Sequence, residues 1–288
     1  MAHGPGLPAH SGVEFIGVWG RDPHKAAALA GDYGATAYPT IDGLIADVDA
    51  IAVALPPDVQ APIALTAAHA GKHLLLDKPV ALSVAEADEI AAAVAERHLA
   101  SAVFFTPRYM PQLQDFLERA GKTGGWVEAR VEHVGSIYQE GNPFGASRWR
   151  QESGGLWDVG PHAVALVLPV LGPVTEVTAM VGAPDMTHLL LRHAVGAIST
   201  LTLSVDMPPA AGREQAIFAG TAGILPVPAL PWDPVLAFGR MLDELIAAAN
   251  GGPQPQLDVR FAAQVTAILS AAAEAARTGR TVRLPPSG

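Results

Sequence analysis

The 288-residue chain contains no cysteine, so neither a disulfide framework nor thiolate metal ligation is open to it. A reducing compartment is allowed without being required. No long run of lysine or arginine occurs, and the net charge is -10. A polynucleotide partner needs a concentrated basic footprint, so nucleic-acid binding is not expected. No stretch approaches the ~18 apolar residues of a membrane span, and the opening MAHGPGLPAH has no basic segment leading into an apolar one. These absences predict a cytoplasmic chain with no membrane partner. What is present is ordinary globular material, with 50% hydrophobic content and a length that favours two domains over one.

The first third alternates strand and helix. Residues 13–20, VEFIGVWG, read as a β-branched and aromatic strand, and DPHKAAALAGDYG follows as a helix with Pro23 near its start. The pattern recurs through IDGLIAD (helix), VDAIAVAL (strand), DVQAPIALTAAHAG (helix), HLLLDKP (strand) and SVAEADEIAAAVAERH (helix), and closes with the strand SAVFFTP. Such alternation implies right-handed crossovers and a parallel sheet covered on both faces. After Arg108 the segments WVEARVEHVGSIY, VTEVTAMVG, THLLLRH, AISTLTLSVD and EQAIFAG are extended and mostly lack intervening helices, which predicts an antiparallel sheet. Two helices, 232–250 and 259–279, end the chain. The expected class is therefore α/β: an incomplete Rossmann-type parallel-sheet domain over 1–107, then an α+β domain with a mostly antiparallel open sheet over 108–288.

Two motifs suggest chemistry. In Gly154-Gly155-Leu156-Trp157-Asp158-Val159-Gly160-Pro161-His162, an acid and an imidazole stand four residues apart, so a helix would stack them on one face. Proline is tolerated in a first helical turn, and the helix is expected to run from near Trp157 to Leu171. His162 has an unperturbed pKa suited to proton exchange near neutrality, and Asp158 would orient it or a substrate. A capping aspartate with a histidine satisfied in an interface is the bland alternative. The second motif is Asp77-Lys78-Pro79 at the end of the apolar run His73 to Leu76. Ligands of open parallel sheets bind outside the carboxyl ends of the strands, so the Lys78 ammonium would enter a crevice, orient a hydroxyl and stabilise developing negative charge. Here the alternative is a surface lysine at a strand end. Proline at 79 favours an extended Lys78.

These two motifs, each in its own part of the chain, resemble the glucose-fructose oxidoreductase / inositol dehydrogenase / rhizopine-catabolism (Gfo/Idh/MocA) oxidoreductases. Asp77-Lys78-Pro79 stands in the place of that family's Glu-Lys-Pro, and Gly154-Gly155 with Asp158 and His162 matches its glycine-rich Asp-x-x-x-His segment. The resemblance implies a nicotinamide cofactor and catalytic roles for Lys78, Asp158 and His162, with Asp77 beside the cofactor. It also implies that Leu55-Pro56-Pro57 lie where the ribose and nicotinamide pass, although two prolines are also ordinary loop residues. At the end of strand 13–20, Gly20-Arg21-Asp22 offers both an arginine suited to a 2′-phosphate and an acid suited to a ribose hydroxyl. With Arg21 first and Lys25 nearby, NADP is favoured over NAD, while Asp22 is equally suited to cap the next helix. Arg108, Tyr109, Trp149 and Arg150 are candidate contacts to a polyhydroxylated substrate or, equally, packing residues. No metal site is apparent, because His188 and His193 share neither a helical nor a strand face.

The chain departs from the pattern in one respect. The first strand and its Gly-x-Gly-x-x-Gly turn are missing, and the opening reads as the latter part of the first crossover helix. The expected explanation is a start lying roughly 20 to 25 residues upstream, the length of a strand, a turn and half a helix. The resulting expectation is an NAD(P)-dependent oxidoreductase that moves hydride at a hydroxyl-bearing carbon of a sugar, inositol or similar polyol. Alternatives are a glycosidase using bound NAD and a non-catalytic ligand-sensing or regulatory relative with weakened cofactor binding. The resemblance also implies a homodimer or homotetramer formed through the C-terminal sheet.

Overall fold

The computed structural model describes residues 3–142 and 144–285. Met1 and Ala2, at the head of the expected crossover helix, lie outside the described residues. The chain divides into two compact units, Met1–Tyr109 with Trp232–Ala263, and Met110–Pro231 with Gln264–Gly288. The first division falls two residues after the expected boundary. The return of 232–263 to the first unit was not expected from a linear reading.

The first unit opens with helix α1, His3–Ala9, followed by strand β1, Gly17–Val18, helix α2, Pro23–Tyr33, strand β2, Thr36–Ala37, and helix α3, Ile41–Asp47. The strand expected over 13–20 is thus only two residues long, and its single partner is β2, in parallel. Asp22 starts α2 by accepting from the backbone N–H groups of His24 and Lys25 at 3.0 and 3.2 Å. Strand β3, Ala50–Val53, helix α4, Pro57–His69, strand β4, His73–Asp77, helix α5, Val84–Glu96, and strand β5, Ser101–Phe104, follow as the alternation requires. β4 pairs in parallel with β3 on one side and β5 on the other. Leu74, Leu75 and Leu76 are buried because helices cover both faces, which is why this strand reads as a continuous apolar run. Among the described residues the β1–β2 pair is not hydrogen-bonded to the three-stranded sheet.

The second unit begins with helix α6, Pro111–Thr123, a helix not expected from sequence. Its strongly one-sided apolar row, Leu113, Phe116, Leu117 and Ala120, is buried. Strand β6, Trp126–Val134, leads to helices α7, Arg148–Asp158, and α8, Gly160–Leu171, then strands β7, Val174–Val181, β8, Thr187–His193, β9, Ile198–Ser204, β10, Arg213–Gly220, and β11, Gly223–Pro226. Helix α9, Pro234–Ala249, belongs to the first unit, where Phe238 meets Phe104 edge-on at 5.3 Å. Helix α10, Val259–Thr278, follows, and strand β12, Val282–Arg283, ends the described chain.

The sheet of the second unit runs β11-β10-β6-β9-β8-β7-β12. Every neighbouring pair is antiparallel except β6 and β9. Along β8 burial alternates strictly, Leu189 and Leu191 inward, Leu190 and Arg192 outward. The inner face packs on α8, leaving the other face open. Residues Arg148–Leu171 form a helical stretch long and apolar enough, by length and composition, to cross a membrane, and most of it is buried inside the structure.

Candidate functional site

In the first unit, Lys78 follows directly on the middle strand of the three-stranded sheet, at its carboxyl end. The Lys78–Pro79 peptide is cis. The turn is held by Gln60, a fully buried residue of α4 that no motif reading singled out. Its side-chain nitrogen donates to the carbonyls of Asp77, Pro79 and Val80 at 2.8, 3.1 and 3.2 Å, and its oxygen accepts from the Asp77 N–H at 2.8 Å. A helix side chain therefore grips the backbone on both sides of Lys78. Leu55 and Pro56 follow β3, and Pro57 begins α4 without a side-chain cap.

Beyond β1, Arg21, Asp22 and Lys25 are all exposed. One carboxylate oxygen of Asp22 caps α2, and the other lies 4.0 Å from the Lys25 ammonium. Arg21, Lys25 and the half-exposed Asp22 carboxylate all stand at this strand end, so cationic and acidic groups are both present there. Among the described residues no strand and glycine turn precede β1.

Arg108 and Tyr109 are both buried in the first unit. The Tyr109 hydroxyl donates to the Val103 carbonyl at 3.3 Å, and the Arg108 guanidinium lies 5.7 Å from the ring centre of Phe261. Burial lowers the Arg108 pKa to about 10 and raises that of the Tyr109 phenol well above its usual value. Both side chains are thus packed in the first unit.

In the second unit the expected single helix from Trp157 to Leu171 is two helices that start earlier. α7 begins at Arg148, kinks at Gly154 with φ 60° and ψ -163°, and ends at Asp158, while α8 starts at Gly160. Asp158 and His162 thus flank the junction at Val159, which keeps right-handed helical angles, so the two remain about one turn apart. The glycine pair has a geometric cause. The positive φ at 154 suits a residue without a side chain, and a Cβ at Gly155 would lie 2.6 Å from the Ser204 Cα.

Asp185, in the turn between β7 and β8, locks this kink in place. Its carboxylate accepts from the N–H groups of Gly155 and Val205, each at 2.9 Å, from the Asp206 N–H at 3.3 Å, and from the Ser204 hydroxyl. The nearly buried Asp158 pairs with Arg150 at 3.1 Å, and the Arg150 guanidinium sits 4.6 and 4.9 Å from the rings of Trp149 and Phe144. The structure thus joins Trp149 and Arg150, considered from sequence as substrate contacts, to the acid of the motif. Beside Gly154 lies a cavity of about 660 Å³ lined by polar groups including Tyr138, Asn142, Gln151, Asp185 and Asp206. Burial, then Asp185, Asp206 and Asp158, raise the Tyr138 phenol pKa. His193 is buried, its ring nitrogens 2.7 Å from the Gly172 carbonyl and 2.6 Å from the Ser199 hydroxyl. Among the described residues no group of three or more His, Asp or Glu side chains is arranged to hold a metal ion.

A parallel-sheet unit with Lys78 at a strand's carboxyl end is followed in the chain by an open-sheet unit with Asp158 and His162 at a helix junction, the two motifs that carried the resemblance. The comparisons make this specific. Residues 1–105 match the oxidoreductase family with the NAD-binding Rossmann fold, and residues 117–225 match the GFO/IDH/MocA C-terminal domain. The chain belongs to the Gfo/Idh/MocA family.

Among its relatives, a UDP-N-acetylglucosamine 3-dehydrogenase from Acidithiobacillus ferrooxidans is 34% identical over 108 residues, which is 38% of this chain and 34% of that protein. That alignment spans about a third of the relative's length. A D-xylose 1-dehydrogenase (NADP(+)) from Haloferax volcanii is 27% identical over 94% of this chain and 92% of that protein. The solved structure of GenD2 from gentamicin A biosynthesis, in complex with NAD, has a TM-score of 0.86 at 26% identity and covers 98% of this chain and 92% of its own.

Proposed function

We propose that this chain is an NAD(P)-dependent oxidoreductase that moves a hydride at a hydroxyl-bearing carbon of a sugar, inositol or similar polyol. The observation that carries the reading is the pair of signature segments held by buried polar contacts, Lys78 flanked by the grip of Gln60 and the glycine kink before Asp158 held by Asp185. When bound, the nicotinamide supplies the hydride acceptor or donor. Lys78 orients the substrate hydroxyl and stabilises negative charge developing on its oxygen. His162 takes or returns the hydroxyl proton, and Asp158, paired with Arg150, holds the motif's charge distribution. The polar cavity beside Gly154 suits a ligand rich in hydroxyls. NADP is favoured over NAD, because Arg21 and Lys25 are exposed at the strand end and one oxygen of the Asp22 carboxylate is used in capping α2. The relatives named for UDP-N-acetylglucosamine and D-xylose support a sugar substrate.

Titration with NADPH and NADH, followed by a panel of sugars and inositols, tests the reading. The expected result is tighter NADPH binding, turnover of at least one polyol, and a loss of about 10² to 10⁴ in turnover for His162→Ala. Cofactor binding with His162→Ala turnover unchanged would remove the mechanism. No binding of either cofactor would favour the ligand-sensing alternative. The exposed outer sheet face, with Met180 and Leu190 74% and 50% exposed, supports a homodimer or homotetramer. A light-scattering mass of one 29.8 kDa chain would contradict the assembly.

A further inference from the structure

Strand β6 carries one residue that its neighbours do not explain. Ala129, Val131 and His133 alternate onto the face that packs against α8, and the first two are buried apolar side chains. His133 puts an imidazole in that row. Its ring stacks on His162, with centroids 6.2 Å apart and planes 24° from parallel. This lies within the range of offset ring pairs. Behind it, Glu214 is the directly opposed residue of β10, with its carboxylate 4.0 Å from the His133 Nδ1. The Glu214 side chain is 74% exposed, so solvent screens that attraction.

We propose that His133 is a positioning residue that fixes the plane of the His162 imidazole by stacking against it from β6. The role rests on the proton-exchange reading of His162. Proton exchange requires a ring nitrogen to be held in line with the hydroxyl, and rotation about the side-chain torsions of His162 would move that nitrogen out of line. α8 fixes the backbone of His162, while a flat neighbour on a rigid strand fixes the ring. Stacking alone requires an aromatic ring at 133 and no nitrogen, so phenylalanine is the conservative replacement.

The test uses the full chain with isotope-labelled histidine, comparing wild type, His133→Ala and His133→Phe by nuclear magnetic resonance and steady-state kinetics. Expected are a through-space contact between the two rings in wild type, and displaced, motionally averaged His162 ring signals in His133→Ala. His133→Phe should restore an ordered His162 ring. Turnover in His133→Ala should fall about three- to tenfold, the rate equivalent of one ring pair, with KM within twofold and recovery in His133→Phe. Unaltered His162 signals in a folded His133→Ala would overturn the proposal, as would a loss of turnover not recovered by phenylalanine. If wild type turns over no polyol, the oxidoreductase reading fails, whereas the ring signals still decide whether His133 orders His162.

Discussion

Replacing Gln60 by leucine isolates the grip on Lys78. The side chain is fully buried and makes four contacts of 2.8 to 3.2 Å with backbone on both sides of the lysine. Its amide has two protons for three carbonyls, so about three well-formed bonds are lost, each worth about 1 kcal/mol net. The Asp77 N–H, left without its acceptor, adds about 1 kcal/mol or more. The total is roughly 4 kcal/mol, or a fall in Tm of about 8–16 °C at the 2–4 °C per kcal/mol usual for chains of comparable size. Gln60→Glu keeps the shape but turns an acceptor toward three carbonyls, so it should be no milder. Lys78 would also shift, and a displacement of about 1 Å costs on the order of 10² in rate. Thermal unfolding and turnover are measured beside Asp58→Asn, an exposed control on the same helix. A Gln60→Leu protein within about 0.5 kcal/mol of wild type, with turnover intact, would refute the clamp.

Gly155→Ala should destabilise the second unit by roughly 1–3 kcal/mol, because the added methyl meets the Ser204 backbone at 2.6 Å; denaturant titration with little change in midpoint would contradict this. Arg21→Ala should weaken NADPH binding about tenfold or more while leaving NADH within about twofold, read by fluorescence titration; equal losses for both cofactors would remove Arg21 from 2′-phosphate recognition. His193 has its pKa held below 6.5, chiefly by burial, so the unfolded chain takes up its proton first as pH falls. The stability due to neutral His193 is therefore present above about pH 6.5 and is lost on acidification toward the lower folded pKa. His193→Gln should flatten the stability profile across that window, and an unaltered slope would show that other groups dominate it.

Although β2, α6 and the break between α7 and α8 that separates Asp158 from His162 were not, the alternation of strands and helices over 50–104, the mostly antiparallel sheet that follows and the placement of Lys78 at a strand's carboxyl end were legible in sequence. They depend on periodicity and on punctuation by proline and glycine, which act over a few residues. The strand expected over 13–20 shrank to Gly17–Val18 because a run of suitable side chains extends only where a neighbour supplies partners, and β2 is two residues long. The grip of Gln60 on a turn 17 residues away and of Asp185 on Gly155 across 30 residues left no local signature. Nor did the return of Trp232–Ala263 to the first unit or the burial of Tyr109. Sequence alone determined which chemical groups exist and that Lys78 closes a buried strand. Only the tertiary structure decided which buried side chains hold them there, because such hydrogen bonds join segments that come together through packing.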